Sequence, residues 1–123
     1  MYDKGLVIET LKQIAAASMR IEKRFKTIQS PDDFSSSDEK TDKLDAICMM
    51  LIAIGESLKK IDKISNGQLL LKYPQIDWKG LKGIRDIISH QYFDIDANAV
   101  HETCKTDIPI LIVVIARILQ DLE

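Results

Sequence analysis

Apolar residues recur in this chain at intervals of three and four, and that spacing constrains the fold more than any other feature. Val7, Leu11, Ile14, Ser18, Ile21, Phe25 and Ile28 fall on one stripe of a helix, with Lys12, Arg20, Glu22, Lys23 and Arg24 mostly on its wet faces. Ser18 interrupts the stripe, and its hydroxyl is expected to bond back to the preceding turn. A second stripe, Leu44, Ile47, Leu51, Ile54, Leu58 and Ile61, predicts another long helix. Every residue from Ile47 to Ile54 is apolar, and the same holds from Ile108 to Ile115. A helix that is apolar all round is covered on more than one side. A domain of 123 residues has few helices to supply that cover, so a subunit interface is expected. Five glycines, three prolines and 6% aromatics argue against a β-sandwich. The expected architecture is all-α, a four- to five-helix up-and-down bundle forming one domain over residues 1–123, and dimeric.

Breaks in the periodicity place the remaining elements. Gln29 to Asp38 holds Pro31, two aspartates before its end and three consecutive serines, and reads as a loop. Ser36 and Glu39 have the spacing of a capping box, so the second helix is expected to start there. Asn66-Gly67 is a stop, and Tyr73-Pro74 breaks any helix at or before Tyr73. Asp77 suits the N-cap of a third helix from Trp78 to about His90 or Gln91. Asp96 suits the N-cap of a last helical segment, Ala97 to Leu122. Pro109 lies inside that segment and must kink or restart it, with Asp107 available as a fresh cap.

Seventeen Lys+Arg against nineteen Asp+Glu leave a net charge of -2, so no global attraction to nucleic acid exists and a local patch must do any such work. Cys48 and Cys104 lie in apolar helical context without a close motif, which suits buried thiols in a reducing cytoplasm. Neither has a His at catalytic or zinc spacing, and no metal or cofactor is expected. No apolar run reaches the ~18–20 residues that span a bilayer, and Met1-Tyr2-Asp3-Lys4 does not open a signal peptide. A cytoplasmic protein with neither membrane nor DNA as partner is the expectation.

The densest chemistry runs from Gly80 to Tyr92. On one continuous helix, Arg85 and Tyr92 would share a face, Gly83 and His90 another, and Asp86 would sit one turn below His90, able to fix its tautomer. Arg85 offers a permanent charge with fork geometry for phosphate oxygens, and Lys79 and Lys82 add to it. The bland alternative is surface support, with Gly80 and Gly83 marking mere helix contact. Glu56 closes the apolar run of the second helix and is expected to pair with Arg85 or a nearby Lys; His101, beside Glu102, reads as a surface residue.

Arg85-Asp86-x-x-x-His90-x-Tyr92 resembles the Arg-x-x-x-x-His-x-Tyr signature of the HepT-like toxins of the HEPN superfamily. Gly55-Glu56-Ser57 resembles the Gly-Glu-Ala segment of their second helix, with Ser57 in place of the usual Ala. Pro74-x-Ile76-x-Trp78 and Asp107-Ile108-Pro109 resemble two further stretches, in family order over about residues 50 to 112. The resemblance implies an all-helical, HEPN-like homodimer whose motif segments flank a shared cleft. It implies the toxin of a toxin–antitoxin pair, a metal-independent endoribonuclease acting on RNA. Arg85 and His90 would be its catalytic pair, with Asp86 assisting and Glu56, Lys82 and Lys79 in support. Tyr92 would receive AMP from a nucleotidyltransferase antitoxin, silencing the toxin. The same residue types would equally serve a non-catalytic, nucleotide-binding partner of a nucleotidyltransferase.

Overall fold

The computed structural model describes residues 2–91 and 94–123, of which 90 and 91 are described for the backbone alone. Asp3 caps the first helix, α1 (Lys4–Phe25), its carboxylate accepting from the Leu6 amide at 3.0 Å. Val7, Leu11, Ile14, Ser18 and Ile21 are buried along it, the stripe read from the sequence. The Ser18 hydroxyl donates to the Ile14 carbonyl at 2.8 Å, so the polar residue in the stripe is satisfied within its own helix.

Residues 29–38 are more ordered than a plain loop. Pro31–Ser35 forms a 3₁₀ turn that buries Phe34, whose ring lies 6.4 Å from that of Phe25. The Ser36 hydroxyl is spent on Asp33, donating to its carbonyl at 2.7 Å and its carboxylate at 2.9 Å. The cap of α2 (Asp38–Ser65) therefore passes to Ser37, which accepts from the Lys40 amide at 3.1 Å; the cap lies one residue later than expected, and with Lys40 three residues on it is not a capping box. Asp33 also accepts from Lys40 Nζ at 2.8 Å and from the Gln29 amide at 3.0 Å. These bonds, that of Lys40 foremost, hold its carboxyl down at about 2. A carboxyl depressed by folding contributes stability above its ordinary value near 3.8 and loses that contribution as pH falls towards 2. Asp33→Asn is therefore expected to lower the urea midpoint at neutral pH and to flatten its decline over that acidic window. Identical midpoint-against-pH curves for the two proteins would refute this.

Helix α2 ends where Asn66-Gly67 predicts. Asn66 takes φ 57° and Gly67 φ 73°, and the Gly67 amide donates to the Asp62 carbonyl at 2.8 Å. A 3₁₀ turn, Leu70–Lys72, leads to Pro74.

The expected third helix is cut short. It divides at Gly83 (φ -96°, ψ 15°) into α3 (Trp78–Lys82) and α4 (Ile84–Ile88). Beyond Ile88 the chain is extended, with β1 (Ser89–Gln91) antiparallel to β2 (Asp94–Ile95) in a bulged two-stranded ribbon. The Ile88 carbonyl accepts from the Asp96 amide at 2.8 Å, a long-range bond competing with helix continuation.

Asp96 caps α5 (Ala97–Glu102), accepting from the Ala99 amide at 3.0 Å. The helix then widens into a π turn, Thr103–Asp107, and continues as α6 (Ile108–Leu122). The interruption expected at Pro109 takes the form of this wider turn, which accommodates a ring that cannot donate to the preceding turn, rather than of a chain break. Asp107 accordingly keeps helical backbone angles and makes no capping bond, contrary to the expectation.

The fold is all-α apart from the ribbon. Helix α1 packs on both α2 and α6, while α3 and α4 lie on α2. Both apolar runs are only partly covered within the chain: Ile47, Leu51, Ile54, Leu111 and Ile115 are inside, but Met49 is 75% and Val113 68% exposed. Cys48 and Cys104 are buried free thiols, and burial pushes them up to about 11 and about 12, well away from thiolate chemistry. Among the described residues, no helix is long and apolar enough to cross a membrane.

Candidate functional site

The segment carrying the motif is seated on α2 by a glycine. A Cβ at Gly55 would stand 2.7 Å from the Leu81 carbonyl oxygen and 3.2 Å from Ile84 Cγ2, so only a bare backbone lets α3 and α4 approach this closely. Gly80 answers a second local demand. Asp77 caps α3 by accepting from the Gly80 amide at 2.9 Å, and a Cβ at Gly80 would crowd that carboxylate out of its capping position. Trp78 fastens the entry, its indole N–H donating to the Tyr73 carbonyl at 2.7 Å. The Tyr73 hydroxyl in turn donates to Asp121 Oδ2 at 2.6 Å, tying the same turn to the end of α6. The Pro74-x-Ile76-x-Trp78 stretch thus acts as an anchor for the motif.

Lys82, expected to enrich the cationic patch, is committed elsewhere: its ammonium pairs with Asp62 of α2, with both side chains largely covered. No local spacing signals this pair, because the two residues meet across helices. Glu56 is exposed and pairs with Lys59 at 2.9 Å, the nearby-lysine alternative, and makes no hydrogen bond to Arg85. Lys59, and more weakly the charge of Arg85, hold the Glu56 carboxyl below its ordinary value. Arg85 therefore lies within electrostatic reach of Glu56.

Arg85 and Asp86 are both exposed on α4. Among the described residues, no hydrogen bond or ion pair engages the Arg85 guanidinium or the Lys79 ammonium. His90 falls in β1, and its side chain lies outside the described residues, as does Tyr92 altogether. The shared helical faces expected for Arg85 with Tyr92 and for Gly83 with His90 would need one helix running through to residue 92, whereas α4 stops at Ile88. The same holds for Asp86 one turn below His90, since an extended residue advances about 3.3 Å rather than 1.5 Å. Asp107 lies near Asp77 of the anchor: burial, then the charges of Asp77 and Glu102, raise its carboxyl above the ordinary range. His101 is half-buried against Phe25, ring centroids 5.0 Å apart edge to face, and is not a free surface residue. No group of three or more His, Cys, Asp or Glu among the described residues is placed to hold a metal ion.

A family model described as ribonuclease HepT-like matches residues 14–118, which include the anchor, the glycine seat and the whole motif. The chain belongs to the HepT-like ribonuclease family. Relatives of this HepT-like chain include two Methanocaldococcus jannaschii proteins, "Putative RNase MJ0125" and "Putative RNase MJ1216". They are 42% and 41% identical over 78 residues, 63% of this chain and 64% and 61% of theirs. "Probable ribonuclease HepT" of Thermococcus cleftensis is 33% identical over 66 residues, 54% of this chain and 56% of its own. The matches thus span under two-thirds of the length of these curated relatives. No solved structure gives a significant match.

Proposed function

We propose that this HepT-like protein is a metal-independent endoribonuclease, the toxin of a toxin–antitoxin pair, acting as a homodimer. Arg85 and His90 form its catalytic pair, with Asp86 assisting and Lys79 adding positive charge. What carries the reading is the state of Arg85. It is exposed and unengaged among the described residues, yet it sits on a short helix fastened to α2 and leading straight into the strand that holds His90. An exposed guanidinium on a fixed mount suits a phosphate that arrives from outside.

Cleaving RNA without a metal needs a base for the 2′-hydroxyl proton, an acid for the leaving 5′-oxygen and charge for the phosphorane between them. Imidazole serves the proton transfers near neutral pH, and Arg85 serves the developing charge. Two copies would supply two imidazoles, one for each proton. The exposed apolar side chains of Met49 and Val113 support a dimer, since each lies in a run that this chain covers incompletely. Tyr92, two residues beyond His90, is the site at which a nucleotidyltransferase antitoxin adds AMP, whose bulk and negative charge would exclude RNA.

Incubation of the purified protein with RNA in a chelator is expected to yield fragments ending in a 2′,3′-cyclic phosphate. A substrate with a 2′-deoxy residue at the cut should survive. Co-expression with a cognate nucleotidyltransferase should add AMP mass to the wild type and none to Tyr92→Phe. Protein that binds AMP or ATP but never cuts RNA in excess would replace this reading with that of a nucleotide-binding subunit.

A further inference from the structure

A second concentration of positive charge stands apart from the Arg85 segment. Arg20, Lys23 and Arg24 project from one side of α1, at spacings of three and four, and Lys43 meets them from α2. Together they line a hollow of about 380 Å³. Two of the four cations have fixed partners. Lys43 Nζ donates to Thr27 Oγ1 at 2.9 Å and lies 3.6 Å from a Glu39 carboxylate oxygen, while Arg24 donates to the Arg20 carbonyl at 3.4 Å. A chain of net charge -2 does not gather four cations round one hollow as a matter of composition. The dipole of α1 accounts for Lys23 and Arg24 in its last turn. Lys43 answers Glu39 one turn before it on α2, and the packing of α2 on α1 brings it to the same hollow.

We infer that this hollow is an RNA-backbone site, gripping phosphodiesters outside the segment that carries Arg85. The inference rests on the ribonuclease reading for the identity of the polyanion. The lining itself argues for backbone over bases or protein. Among the described residues its lining holds no aromatic ring on which a base would stack, and no apolar residue of the kind that anchors a protein interface. Two arginines supply forked donors matched to phosphate oxygens. Lys43 is thirteen residues before Glu56 on α2, about 20 Å along the axis at 1.5 Å per residue and on a different face. The site thus engages RNA that extends well beyond the scissile bond, independently of sequence.

The test is fluorescence anisotropy of a labelled single-stranded RNA across a salt series, with Arg85→Ala protein so that the probe stays whole. Changing Arg20, Lys23, Arg24 and Lys43 together to Gln should weaken binding at low salt about tenfold or more. It should also flatten the slope of log K against log salt by about 2–3, near 0.7 for each phosphate that is no longer neutralised. A control that neutralises Lys4, Lys12, Lys60 and Lys72, all exposed elsewhere, should keep the parental slope. An unchanged slope in the groove variant, or equal flattening in the control, overturns the site. Circular dichroism verifies folding; if the fourfold variant unfolds, Lys23→Gln with Lys43→Gln should flatten the slope by about 1.4, and no change again overturns the site. Cleavage is read separately with Arg85 intact. No cleavage with the slope shift present refutes the ribonuclease reading alone, and cleavage with an unmoved slope refutes this site alone.

Discussion

Arg85→Ala is expected to lower the rate of RNA cleavage about 10²–10³-fold while leaving the fold untouched. The size follows from removing a fixed donor that meets charge developing in the transition state. The specificity follows from the structure, because among the described residues the guanidinium takes no hydrogen bond or ion pair away with it. Stability should stay within about 0.5 kcal/mol, as for an ordinary surface change. Arg85→Lys should recover part of the rate, since it keeps the charge and loses the fork. His90→Ala should cost about 10²–10⁴-fold, the value of a positioned proton-transfer group. Single-turnover cleavage of a labelled RNA, beside thermal melts of each variant, measures both quantities. Near-wild-type cleavage by the two alanine variants would remove them from the chemistry.

Gly55→Ala should damage stability and activity together, although residue 55 touches no substrate in the proposed mechanism. The added carbon meets the Leu81 carbonyl oxygen at 2.7 Å, a backbone atom that cannot rotate aside, and Ile84 at 3.2 Å. Either α3 and α4 lift from α2 or the core between them is strained, at a cost of about 1–3 kcal/mol. Propensity works the other way, because Ala is favoured over Gly inside a helix by about 1 kcal/mol. A net loss would therefore show that the close approach outweighs it. Lifting α4 displaces Arg85, and misplacement by about 1 Å can cost on the order of 10² in rate. Urea unfolding and single-turnover cleavage read the two effects. A more stable, fully active Gly55→Ala protein would mean that the seat is not needed.

Chain order and chemistry reveal some parts of this protein directly. The three-and-four spacing from Val7 to Ile21 and from Ile47 to Ile61 corresponds to buried faces of α1 and α2. The Asn66-Gly67 stop, the Asp77 cap and the Asp96 cap are all where short-range rules put them. So are the four stretches that lead to the family, because a motif is a linear pattern. These features depend on residues within one or two turns of each other.

Other parts depended on partners that no local pattern contains. The third helix stopped at Ile88 because the Asp96 amide, eight positions on, supplied its carbonyl with another partner. Lys82 left the cationic patch because Asp62 met it across a helix interface, while Arg20, Lys23, Arg24 and Lys43 gathered in a hollow that only the packing of α1 on α2 creates. Periodicity and most caps are decided by neighbours along the chain, and so the sequence alone determined α1, α2 and the motif. Which charges remain free to meet a phosphate is decided by residues distant in sequence, and that only the tertiary structure could settle.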